Sequence, residues 1–178
     1  WQLGAAREGR EAFVARFSLL PAGVGVLLDV LLLAGLLVHV GAGVKLVLDD
    51  PGPRHAAGHA SAGSRSWQRL TGVLAFAFVL FHVFSLAGAA DALAVFSRFD
   101  ATLGQPRYLL IWVLGLTAIF AHLAEGVPAA LRTLGLVGGE LQLRRARVLS
   151  GLLAAFGWLL AMNSLSYFAT GAAYVGGS

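Results

Sequence analysis

The chain of 178 residues has no cysteine, a single methionine and only five prolines. Without cysteine it can hold no disulfide, no thiolate-bound zinc and no iron–sulfur cluster of its own. Charge is scarce as well. Asp, Glu, Lys and Arg make up 12% of the residues, about half the share of an average soluble domain. Apolar residues make up 58% and mean hydropathy is +0.78, more apolar surface than a soluble domain of this size can hide. The bilayer is therefore the natural solvent. The net charge of +4 comes from few residues, so it bears on membrane orientation, and no nucleic-acid partner is expected. No initiator Met opens the chain, and "WQLGAAREGREAF" is too charged for a signal peptide. A segment upstream is expected.

What the sequence does have is long apolar runs. Four of them, about 18–48, 69–90, 108–131 and 148–170, are long enough to cross a hydrocarbon layer of about 30 Å, which takes about 20 helical residues. Backbone polar groups in lipid must pair within their own segment, and these runs lack the alternation of barrel strands. The expected fold class is all-α: one transmembrane helical bundle over 1–178, with four spans visible. Pro21 stands near the start of the first run, where proline is tolerated. Between the runs lie "DDPGPRHAAGHASAGSRS" (49–66), "DALAVFSRFDATLGQP" (91–106) and "TLGLVGGELQLRRAR" (133–147), which read as connections because they are rich in turn formers or charge.

The basic residues orient the bundle. Lys45, Arg54, Arg65, Arg69, Arg132, Arg144, Arg145 and Arg147 fall on one side, and Arg7, Arg10, Arg16, Arg98 and Arg107 on the other. This bias of eight to five puts loops 49–66 and 133–147 in the cytoplasm. The first visible span then begins outside, and a cytoplasmic N-terminus requires one further helix before Trp1.

Five histidines fall into two kinds. His55 and His59 lie in a Gly/Ala/Ser-rich loop where no helix is expected to pre-organise them, and they read as solvated. His39, His82 and His122 each lie inside a different span, where an ionisable side chain is costly and usually faces the bundle interior. Measured from cytoplasmic ends near Leu48, Arg69 and Arg132, His39 and His122 lie about 13 and 15 Å deep, level enough to face one another. His82 lies about 20 Å deep, nearer the outside. Gly35 and Gly43 flank His39 by one turn, while Gly115, Ala118 and Gly126 share a face with His122. Such small residues leave a groove for a flat macrocycle, although ordinary small-xxx-small packing uses them too. Two imidazoles from facing helices can hold haem b without cysteine. Hydrogen-bonded bundle histidines are the alternative.

Several stretches, in order, resemble a known family. "WQRLTGVLAFAFVLFHVF" is similar to the glutamine–arginine–x–threonine–glycine opening and buried histidine of the di-haem cytochrome b membrane anchors of succinate:menaquinone oxidoreductases and fumarate reductases. "GREAFVARFSLLP" resembles that family's link between its first and second helices, and "LLVHVGAGVKLVL" its second-helix histidine and cytoplasmic exit. "IFAHLAEGVPAALRTLGL" resembles its fourth-helix histidine–x–x–x–glycine, leading to "RRARVLSGLLAAFGWLLAM". The resemblance implies a five-helix bundle of which this chain shows helices two to five. It implies that His39 and His122 ligate an inner haem, and that His82 is one ligand of an outer haem whose other ligand stands upstream of Trp1. The proton-conducting glutamate described on the last helix of some fumarate reductases has no acidic counterpart in 148–170.

Other polar residues take candidate roles from this frame. Arg69 and Gln68, at the cytoplasmic mouth of their span, are candidate partners of an anionic haem propionate, with Arg65 and Arg145 weaker ones; a positive-inside anchor explains Arg69 as well. Asp29, bracketed by "VGVLL" and "VLLLAG", is a candidate for proton exchange with a quinone near the outer haem. Glu125 is a candidate for proton transfer near the inner haem, and a packing hydrogen bond is the plainer account of either acid. Trp67, Trp112 and Trp158 read as packing or interface residues.

The resemblance implies the membrane-anchor cytochrome b of a succinate dehydrogenase or fumarate reductase, serving a step of the tricarboxylic acid cycle from a bacterial cytoplasmic membrane. Flavoprotein and iron–sulfur subunits would dock on the cytoplasmic face, and electrons would pass through two b haems to or from a quinone, with menaquinone favoured. Higher oligomers of such a complex stay open. The alternatives are an anchor for another dehydrogenase, such as hydrogenase or formate dehydrogenase, and a haem-free anchor or small transporter.

Overall fold

A computed structural model describes residues 10–17, 22–49, 62–89 and 91–172. Every regular element among them is a helix: α1 (Arg10–Phe17), α2 (Ala22–Leu48), α3 (Ala62–Leu86), α4 (Ala92–Leu103), α5 (Pro106–Thr133) and α6 (Glu140–Thr170). Four contain apolar spans long enough to cross a membrane, over Val24–Leu48, Ser66–Leu86, Pro106–Thr133 and Glu140–Thr170. The architecture is that of a multi-pass membrane protein.

The helix ends follow local chemistry. Pro106 opens α5 where its missing N–H would have gone unpaired anyway. Gly171 ends α6 with φ +74°, a left-handed residue whose N–H closes on the Tyr167 oxygen at 2.8 Å. Pro128 stands inside α5, fully buried, a position that membrane helices accept when neighbours support the freed backbone group.

Three expectations need correction. The stretch 91–106 is not a plain connection, because it carries α4. Asp91 caps that helix, its Oδ1 accepting from the Ala94 N–H at 2.8 Å, and Val95, Phe96, Phe99 and Leu103 form its inward face. The last span begins at Glu140 and not near 148, so the arginines at 144, 145 and 147 are helical. The second span starts earlier and stops earlier than 69–90, since α3 is wound from Ala62 and ends at Leu86. Charged flanks hide helix from a hydropathy count but do not prevent it. His55, His59 and Pro21 lie outside the described residues.

α5 is the central post. α3 packs along one side of it and α6 along the other, while α4 touches both α5 and α6 and packs against α1. The core is aromatic: Phe78, Leu103, Trp112, Leu165 and Phe168 meet where α3, α4, α5 and α6 converge. Gly115 makes the α3–α5 crossing tight, since a Cβ there would fall 2.1 Å from the Phe78 ring. α2 differs from the rest: it is not packed along any other described helix, and its strongest apolar window has no buried residue.

Candidate functional site

Among the described residues, the ring contact that α2 makes is through His39. Its imidazole stands against that of His122 on α5, with centroids 5.9 Å apart and planes at 79°. The two histidines that the depth count put at one level therefore meet.

His122 is oriented from α3. Its Nδ1 lies 3.2 Å from the backbone oxygen of Gln68. A carbonyl can only accept, so Nδ1 carries the proton and Nε2 keeps a free lone pair. The same oxygen accepts from the Thr71 hydroxyl at 3.1 Å, and that hydroxyl also reaches the Trp67 oxygen at 3.0 Å. Thr71 is 2% exposed. Gly72 admits the ring: a Cβ there would stand 3.0 Å from Cε1 and 3.3 Å from Nδ1 of His122. Sequence reasoning assigned Gln68 a side-chain role and gave Thr71 and Gly72 none of their own. A backbone acceptor leaves no side-chain signature; the adjacent threonine and glycine one turn after Trp67 and Gln68 were the available signal.

The pair can be tested for fit to a metal group. Two imidazoles on one ion, with metal–nitrogen bonds of about 2 Å, have centroids about 6 Å apart, and 5.9 Å matches. No third His, Cys, Asp or Glu joins them among the described residues. A bare zinc ion would take four ligands, so the pair would suit an iron that brings further donors of its own, as in haem. The Nδ1–H of His122 bonded to a carbonyl is the outer-shell support that ligating histidines usually have. The pair is open on the α2 side, where His39 is exposed and no described residue lies near a Cβ built at Gly35 or Gly43. On the α5 side the Phe78 ring takes the space at Gly115 and Gly72 stands against His122, so the groove expected beside His122 is filled by protein. The residues fit.

His82 is placed apart, at the aromatic end of the bundle. Phe78 and Phe99 stack near its faces, each with centroids 6.3 Å away, and Trp112 stands edge-on at 5.1 Å. Its Nδ1 is buried with no hydrogen-bond partner among the described residues. Arg98 locks the following turn, donating to the Ser85 and Ala87 oxygens at 3.2 and 2.7 Å.

The remaining candidates are scattered. Arg69, next to Gln68 on α3, and Glu125, three residues after His122 on α5, are both exposed. Asp29 is exposed on α2 and has no polar partner among the described residues. Arg145 lies with Arg144, Leu141 and Val148 on an open groove of α6. Of the tryptophans, Trp112 is core, Trp158 donates to Thr117 Oγ1 at 2.9 Å, and Trp67 is exposed. No protein-family model, curated protein or solved structure matches the chain.

Proposed function

We propose that this chain is a membrane-embedded b-type cytochrome in which His39 and His122 would hold the iron of one haem. The observation that carries this is the imidazole pair at 5.9 Å between two spanning helices, one member of which is held as the Nδ1–H tautomer by the Gln68 carbonyl. Bound there, the iron supplies one-electron chemistry. The protein residues hold and tune it: α2 and α5 bring the imidazoles, Gln68 fixes the tautomer of His122, and Arg69 neutralises a propionate at the helix mouth. Apolar spans keep water from the group and so raise the weight of each nearby charge.

The resemblance described above extends this to the anchor of a succinate dehydrogenase or fumarate reductase in a bacterial cytoplasmic membrane. Its partners there are a flavoprotein and an iron–sulfur subunit on the cytoplasmic face, and its electron carrier is menaquinone or another quinone. Asp29 and Glu125 serve as the proton-exchanging groups in that assignment, and His82, with its unpartnered Nδ1, serves as one ligand of a second haem. Co-purification of the partner subunits separates this from an anchor for another dehydrogenase.

The deciding experiment is visible absorption of the purified, dithionite-reduced chain. Low-spin b-type bands are expected. His39→Ala and His122→Ala should each remove the same component, and His82→Ala should spare it. Absence of low-spin bands from the unmodified chain, or their persistence in both single variants, overturns the proposal.

A further inference from the structure

One backbone oxygen on α3 collects two side-chain donors beyond the N–H of its own helix. The carbonyl of Gln68 accepts the Nδ1–H of His122 at 3.2 Å and the hydroxyl of Thr71 at 3.1 Å. The hydroxyl is itself divided between that oxygen and the Trp67 carbonyl at 3.0 Å. Thr71 is buried. The next residue, Gly72, has only hydrogen where a Cβ would press on the His122 ring.

We infer that Thr71 and Gly72 act as positioning residues that tune the ligand strength of His122, Gly72 by admitting the imidazole and Thr71 by sharing its acceptor. An oxygen that already accepts its helical N–H and then serves two side-chain donors gives each less. The His122 N–H···O bond is therefore weaker with Thr71 present than without it, and the imidazole is less electron-rich. A stronger outer-shell bond raises ligand basicity and stabilises ferric iron, so losing the hydroxyl lowers the haem potential. This rests on the haem assignment for its electrochemical part, whereas the hydrogen-bond part concerns the chain alone.

The test uses the full chain with and without haem, in three variants: Thr71→Val, which keeps the shape and removes the hydroxyl; Thr71→Ser, which restores a hydroxyl; and Gly72→Ala. In haem-free protein with ring-15N histidine, the His122 Nδ1–H signal is identified by its loss in His122→Gln. It should shift in Thr71→Val and Gly72→Ala and stay near its original position in Thr71→Ser. In haem-loaded protein, Thr71→Val should lower the midpoint potential and move the low-spin ferric electron-paramagnetic signal, with Thr71→Ser close to the unmodified chain. A Thr71→Val chain that matches the original in the 15N signal and in potential overturns the inference, as does a Thr71→Ser chain that moves as far as Thr71→Val. If the unmodified chain takes up no low-spin haem, the function assignment fails and the 15N comparison alone decides this inference.

Discussion

At the residue scale, small side chains do the work of bringing helices together, and polar ones are spent where they find a partner. Thr117 shows both economies: its hydroxyl donates to the Val113 oxygen at 2.7 Å and accepts from Trp158 Nε1 at 2.9 Å, tying α5 to α6. Hydrogen bonds between membrane helices average about 0.6 kcal/mol, so Thr117→Val should destabilise the bundle by about that much in reversible unfolding from one detergent. Trp158→Phe in the Thr117→Val background should then add less than it does alone, because both remove the same bond. Gly115 is a stricter site. With Phe78 ring atoms 2.1 Å from any added Cβ, Gly115→Ala forces a packed ring aside at a cost of about 1–3 kcal/mol, visible as a lower melting temperature. Counting residues from the charged ends was enough to set His39 and His122 level, because helical rise is fixed. It was not enough to find the Gln68 carbonyl, since every residue owns such an oxygen and only the crossing of α3 and α5 selects this one.

At the element scale, the four spans were legible because lipid demands an uninterrupted apolar stretch, which a hydropathy count reads directly. α4 was not, because twelve residues with Arg98 and Asp100 among them satisfy no such count. Its signal was of another kind: an Asp cap followed by apolar residues at helical spacing, Val95, Phe96, Phe99 and Leu103. This helix has a role in the site region, since Phe99 stacks beside His82 and Leu103 is 1% exposed in the core. Asp91→Ala removes the acceptor for the Ala94 N–H and should weaken α4 by about 1 kcal/mol. Hydrogen exchange should then rise over residues 92–103 and in the last turn of α3, which Arg98 holds by its two carbonyl contacts. Asp100→Ala, on the exposed face of the same helix, should leave exchange in the α3 turn unchanged. Equal acceleration by both substitutions would mean that the cap does not anchor this corner.

At the scale of the whole molecule, the helices divide by what holds them. α3, α5 and α6 interlock through an aromatic core, with α4 packed against α5 and α6. In lipid, helix association comes from such packing and from interhelical hydrogen bonds, because the tails are as apolar as the side chains. α2 has little of either toward the other described helices: most of its apolar residues are exposed, and its ring contact is His39 with His122. A two-point bond through a shared iron would supply the missing attachment, and this makes the position of α2 a measure of ligation that does not depend on colour. The chain has no cysteine, so single cysteines replacing Val30 on α2 and Leu114 on α5, which are 57% and 60% exposed, can carry spin labels without background. Pulsed dipolar spectroscopy in lipid nanodiscs should give a broad distance distribution for the haem-free protein and a narrow one after haem is added. His39→Ala should abolish the narrowing and leave the α3–α5 separation, reported by labels on that pair, as it was. A distribution equally narrow with and without haem would mean that α2 is placed by lipid or by its own loops, and that the meeting of His39 and His122 serves packing alone.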